Sequence, residues 1–343
     1  MQVYKLTYKV IWLIIMGVYL MLHLGCEKAL LRPDGEASPQ QVFDHLWNDV
    51  NDRYAFFNVK NIDWEDVRDK YRPMVNDDMS DESLFDVLSE MLFELRDGHV
   101  NITTNFNRSR NWEWFQDFPI NYNQNIIDRS YLDKDFQIIG PFRAKSIDTV
   151  LYVNYRSFGD AIDVSHMNSL MNLADRNLGL IIDIRSNGGG SLSNAYRMMG
   201  ALTDRSRIFA RERIKTGSGP DDFSPWNTLS YSPERDRAFD KPVVLLCNRG
   251  SYSASTFFAQ MIKVLPNGVI IGDQTGGGGG IPVFGELPNG WMYRFSATQT
   301  INPEGQHLEF GVEPDIFIDM TEEDELQDID TIIEAALDYI RQL

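Results

Sequence analysis

Three short segments carry residues able to do chemistry. The first, Asn248-Arg-Gly-Ser-Tyr-Ser-Ala-Ser-Thr256, follows the apolar run Val243–Cys247 and opens a helical pattern. A serine at such a turn sits at a helix N-terminus, where the dipole and free backbone N–H groups favour developing negative charge. Ser251, Ser253 and Ser255 would also serve as caps and turn residues. The second, Asp183-Ile-Arg-Ser-Asn-Gly-Gly-Gly190, likewise ends a buried strand and precedes a helix. Its glycines let the backbone approach a ligand and aim N–H groups at it, which suits an oxyanion hole or an anion site. It lacks the spacing of a dinucleotide fingerprint and the lysine of a phosphate loop; a plain tight turn is the alternative. The third, Asp97-Gly98-His99, puts a histidine just past a helix end, as a general base or as an exposed loop residue.

The elements that position these segments follow from hydrophobic spacing. Ser38 can cap a helix starting at Pro39 and running to about Tyr54, since proline suits a first turn. A second helix covers Trp64–Met74. A third covers Glu82–Arg96, with Leu84, Val87, Leu88, Met91, Leu92 and Leu95 on one face. Residues 101–147 read as an irregular segment of short strands and loops, in which the aromatic loop Trp112–Phe118 could line a cleft or simply pack. From Asp148 strands alternate with helices. Leu178–Ile184 and Pro242–Cys247 are continuous apolar runs, as expected of strands buried on both faces. The pattern predicts an α/β layered core, closed by a helix over 326–342.

Lys5 and Lys9 precede an uncharged apolar run, Val10–Leu22, which suits the core of an export signal and is short for a permanent span. Gly25-Cys26 after it resembles the processing box of bacterial lipoproteins, with His23 where an aliphatic residue is usual. The expectation is an exported protein whose Cys26 carries lipid and ties it to a membrane surface. The formal charge is −18, from 32 Lys and Arg against 50 Asp and Glu; this excludes an electrostatic footprint for nucleic acid. Two cysteines exclude a disulfide scaffold, and Cys247 reads as an inert strand residue. No His, Cys, Asp and Glu cluster has metal spacing, so neither metal nor cofactor is expected.

Taken together, strand–Asn-Gly-Gly-Gly–helix, strand–Asn-x-Gly-Ser-x-Ser-Ala-Ser–helix, Gly272-Asp-Gln-Thr-Gly276 and Gly311-Val-Glu-Pro-Asp315 resemble the tail-specific (carboxy-terminal-processing) serine peptidases, in particular their tricorn-core-like and retinoid-binding-protein-like branch. The resemblance covers about residues 39–320 and implies a crotonase/ClpP-like α/β core with an N-terminal helical subdomain. Residue patterning gives a signal over 1–25, a tether over 26–37 and a closing helix over 321–343; between them the resemblance implies a helical subdomain over 38–100, a connecting segment over 101–147 and a catalytic core over 148–320. Only about 48 residues separate His99 from the core, too few for the PDZ domain many members carry.

The resemblance makes Ser253 the nucleophile, with the N–H of Ala254 and of Gly189 or Gly190 as the oxyanion hole. The lysine base of well-known members would fall on Gly278. Lys263 is nearly three turns along the helix that Ser253 opens and cannot reach back. The tricorn-like branch implies instead that His99 is the base, oriented by a glutamate: Glu309, one residue short of the expected spacing, or Glu313. His307 is a further candidate base. The implied reaction is hydrolysis of a polypeptide through an acyl-enzyme, with an apparent pKa near neutrality for a histidine base. A non-catalytic binding protein on the same fold is the alternative reading, and a structural surface lipoprotein a third.

Overall fold

The computed structural model describes residues 37–235 and 239–343. The segment expected to be an export signal and the expected lipid site Cys26 lie outside the described residues. The first helix, α1 (Pro39–Arg53), begins as its sequence dictates. Ser38 Oγ accepts the Gln41 N–H while the Gln41 side chain accepts the Ser38 N–H, and Pro39 occupies the first turn. Val42, Phe43, Leu46, Trp47 and Val50 form its buried stripe. This packs on α2 (Trp64–Tyr71) and α3 (Asp81–Phe93). Trp47 and Trp64 stack, and each indole N–H donates to the other's carbonyl at 3.1 Å. The same core takes in Tyr293 and Phe295 from the strand Met292–Ser296. The helical subdomain is therefore fastened to a strand nearly two hundred residues downstream.

A seven-stranded sheet forms the other layer. It is built from β1 (Gln137–Ile139), β2 (Phe142–Ile147), β3 (Val150–Tyr155), β4 (Gly179–Asp183), β5 (Val243–Cys247), β6 (Gly268–Gly272) and β7 (Ile316–Phe317), in the spatial order β7-β6-β5-β4-β3-β2-β1. The β3–β7 pairs are parallel, and β1 and β2 add antiparallel at one edge. Thus part of the 101–147 segment, expected to be a connector, belongs to the main sheet, and Gln124–Leu132 is helical. Short strands such as Gln137–Ile139 carry too little alternation to be read from sequence.

The apolar runs in β4 and β5 are continuous because both faces are covered. Leu180, Ile182, Val243 and Leu245 face α4 (Val164–Ala174), α5 (Leu192–Leu202) and α6 (Ala254–Lys263). Ile181, Val244 and Leu246 face α7 (Thr331–Arg341), whose Ile332, Ile333, Ala336, Leu337 and Ile340 make one apolar stripe. Truncating such a residue to alanine costs about 2–5 kcal/mol. Beyond β4 the chain is clamped by a fully buried Arg185. Its guanidinium binds Asp183 at 2.7 Å and Asp330 at 2.9 Å, and Asp330 in turn caps α7. The Asn-Gly-Gly-Gly turn therefore leaves the sheet from a fixed point.

Candidate active site

The serine-bearing turn separates three similar residues by environment. Ser251 Oγ donates to the Ile184 carbonyl and Ser255 Oγ to the Asn187 carbonyl, each at 2.8 Å and fully buried. Both tie the turn to the neighbouring glycine-rich loop. Ser253 alone is partly accessible, and its Oγ lies 2.9 Å from His99 Nε2. Its backbone has φ 58° and ψ −119°, a region that L residues rarely enter. Strain of this kind persists where surrounding bonds over-determine it. Here the Ser253 N–H donates to the Gly277 carbonyl at 2.9 Å, as does Thr256 Oγ1 at 2.7 Å. Thr256 also reaches Thr275 Oγ1, which accepts the Val312 N–H. The Gly272–Gly276 and Gly311–Asp315 segments thus act as braces for the Ser253 turn.

The α6 N-terminus leaves the Ala254 N–H without a protein acceptor among the described residues, and the Gly190 N–H likewise. The Gly189 N–H is already given to Asn187 Oδ1 at 3.0 Å. Gly189 holds φ +95°, and a Cβ built on it would lie 2.6 Å from the Tyr252 carbonyl and 2.9 Å from Ala254 N. Only glycine lets the two loops meet here.

His99 is buried and held from three sides. Its own N–H donates to Asp97 Oδ1 at 2.8 Å, its ring packs on Tyr252 at 5.0 Å, and Tyr252 stacks on Trp114 at 4.1 Å. Burial, opposed by the Asp97 charge but aided by Arg294 and Lys60, pushes the imidazole down to about 4. It is neutral at neutral pH and able to accept a proton. The near-neutral value expected from its residue type is displaced because water is excluded.

Glu309, expected to orient the ring, is buried nearby, but its Oε1 bonds Lys60 Nζ at 2.6 Å. The ring's Nδ1 instead faces Ser296 Oγ at 3.5 Å. Lys60 also donates to the Arg96 and Leu95 carbonyls and stands 4.0 Å from Asp97 Oδ2. Burial raises the Glu309 carboxyl, and Asp97 raises it further against the pull of Lys60. For Asp97 burial acts upward too, but the Lys60 and His99 charges prevail and hold it below its ordinary range. Glu313 is exposed. His307 packs edge-on to Phe56 and makes no bond to Ser253. Lys263 pairs with Asp315 at 2.6 Å.

Lys60 and Ser296 are the residues that sequence reasoning missed. Lys60 ends the short helix Phe57–Lys60 and reads as an ordinary solvated charge. Only the fold brings it to Glu309, 249 positions away. No lysine could occupy position 278: its φ is +75° and a Cβ there would lie 2.5 Å from the Tyr252 ring.

The chain matches the model of Peptidase family S41 over residues 149–318 and that of the Tricorn protease C1 domain over 36–93. A solved structure from Parabacteroides merdae, described as a candidate peptidase, is 38% identical, with TM-score 0.84, covering 88% of this chain and 96% of that one. A CtpA-like serine protease candidate of Staphylococcus aureus is 26% identical over 164 residues, 47% of this chain and 30% of the relative. The chain thus spans about a third of the length of the curated relatives it matches. Mature CPAF shares the fold at 13% identity, with TM-score 0.66, over 87% of this chain and 95% of that one. The protein belongs to peptidase family S41, a family of serine peptidases.

Proposed function

We propose that the protein is a serine endopeptidase that cleaves polypeptides through an acyl-enzyme. The observation that carries this reading is the 2.9 Å approach of Ser253 Oγ to His99 Nε2, between residues 154 positions apart. His99 takes the Ser253 proton as Oγ attacks the scissile carbonyl carbon. The oxyanion is met by the Ala254 N–H and the Gly190 N–H, the glycine donor not already committed. His99 then gives its proton to the leaving amine, the C–N bond breaks, and water repeats the cycle on the ester.

For Nε2 to accept, Nδ1 must carry the hydrogen. Ser296 Oγ on that side, with the Asp97 charge behind it, supports a positioning role for these two residues. Glu309 acts on the ring through Lys60 and Asp97 rather than by contact. The opening Val10–Leu22 run and Cys26 support export and a lipid tether for the same enzyme.

A fluorophosphonate should label the protein at Ser253, and Ser253→Ala should abolish labelling and casein cleavage together. Undiminished hydrolysis by that variant would overturn the assignment. The alternative of a non-catalytic binder predicts no labelling at all. It is disfavoured by a neutral imidazole already seated on the hydroxyl.

A further inference from the structure

The molecule is strongly acidic, yet the cleft that ends at Ser253 and His99 is basic. Its cavity of about 720 Å³ is lined by Arg108, Arg110 and Arg294 and by no Asp or Glu. The fold creates this arrangement. Asn101 pairs with Arg294 across neighbouring strands, Thr103 pairs with Met292, and Arg108 bridges back to Thr103. Two guanidinium groups from distant stretches of chain thereby share one wall.

Among the described residues no carboxylate lies within 4.0 Å of any of the three. Arg72, by contrast, sits on Asp44 and Arg249 on Asp273. Arg294 is half-buried and its buried Nε has no hydrogen-bond partner. Burial, and then the charge of Arg108, destabilises its cationic form. Arg110 lies over the Trp112 ring, which also lines the cleft.

Holding like charges together, partly dehydrated and unpaired, costs stability. An arriving carboxylate relieves that cost and can be gripped bidentately by a planar guanidinium. A basic wall on an acidic molecule also draws anionic segments toward it.

We propose that Arg108 and Arg294, flanked by Arg110, form a carboxylate-binding subsite of the cleft. It selects polypeptides with a carboxylate close to the bond to be cut, from an Asp or Glu side chain or from the chain terminus. The proposal deepens the peptidase reading and rests on Ser253 as the reacting group. It adds what that reading lacks, a reason for one polypeptide to be preferred over another.

The test is binding by the Ser253→Ala protein of fluorescein-labelled decapeptides, read by anisotropy. One peptide carries only neutral residues. Others carry a single Glu, moved one position at a time. Each is made with a free and with an amidated C-terminus. A charge-assisted contact predicts binding tighter by roughly 10- to 100-fold for the best-placed carboxylate.

That preference should fall to near unity in Arg294→Gln. It should fall likewise in Arg108→Gln, an exposed position where substitution leaves the fold intact. Arg108→Glu should turn it toward Lys-containing peptides. A gain that follows the moved Glu assigns a side chain; a gain lost on amidation assigns the terminus; either supports the subsite. Equal binding of every peptide, or a preference that survives both glutamine variants, overturns it. Hydrolysis of the same peptides by the unaltered protein is scored separately. Discrimination in binding without cleavage or fluorophosphonate labelling would refute the serine chemistry and leave the subsite standing.

Discussion

Lys60→Met tests whether the charges beneath His99 form a dry, interdependent cluster. The lysine and glutamate side chains retain about 5% and 4% of their exposure, and Asp97 none. Methionine keeps the stem and removes the ammonium, leaving two buried carboxylates with no cation. Breaking a buried pair in this way costs about 3–5 kcal/mol. At roughly 1.6 °C per kcal/mol for about 300 folded residues, the melting midpoint should fall by roughly 5–8 °C.

The loss should also depend on pH, with a definite sign. Glu309 is already raised in the folded state, and losing Lys60 raises it further. A folded carboxyl that holds its proton above the unfolded value is penalised as pH rises through that interval. The variant should therefore lose more at pH 8 than at pH 5. Lys60→Met combined with Glu309→Gln should recover most of the loss, because it removes an uncompensated charge. Scanning calorimetry of the three proteins at both pH values decides the matter. A loss under about 1 kcal/mol at pH 8, or one independent of pH, would refute the cluster and mean that water reaches these groups.

Three further outcomes follow from the same geometry and a fourth from the sequence. Activity should persist well below neutrality, with the acid limb of kcat/KM near pH 4, where burial has put the imidazole; a limb near pH 6.5 would show that the ring is hydrated in solution. Because unfolded His99 binds its proton first as pH falls, the stability of the folded state should decline between about pH 6.5 and 4, which acid titration of the unfolding midpoint will detect. Gly189→Ala should lower kcat by at least about 100-fold, since its Cβ would press on Ala254 N; a change confined to KM would separate this loop from oxyanion binding. The proposed lipid tether predicts that Cys26→Ser moves the protein from the membrane to the soluble fraction with loss of palmitate labelling; an unchanged distribution would refute the tether.

How legible all this was from sequence depends on what kind of contact carries it. Ser38, Pro39 and Gln41 specify a helix start locally, and Leu178–Ile184 announces a doubly covered strand because its alternate residues meet two separate cores. The Ser253 turn was readable for the same reason: strand, glycine-rich turn and helix follow one another, and the backbone chemistry is local. Lys60 shows what is not readable. Nothing in a four-residue helix distinguishes a solvated ammonium from one pressed on Glu309; the difference lies in a core shared by the N-terminal helices and the strand Met292–Ser296. That strand sets Ser296 on the Nδ1 side of His99, and through its pairing with Asn101 it carries Arg294 into the cleft. His99 and the basic wall therefore cannot move independently. A mutation that slips the register of this strand by one residue would turn Arg294 and Ser296 to the opposite face together. It should abolish hydrolysis and carboxylate preference at once while leaving the seven-stranded sheet, and the Ser253 turn built on it, in place.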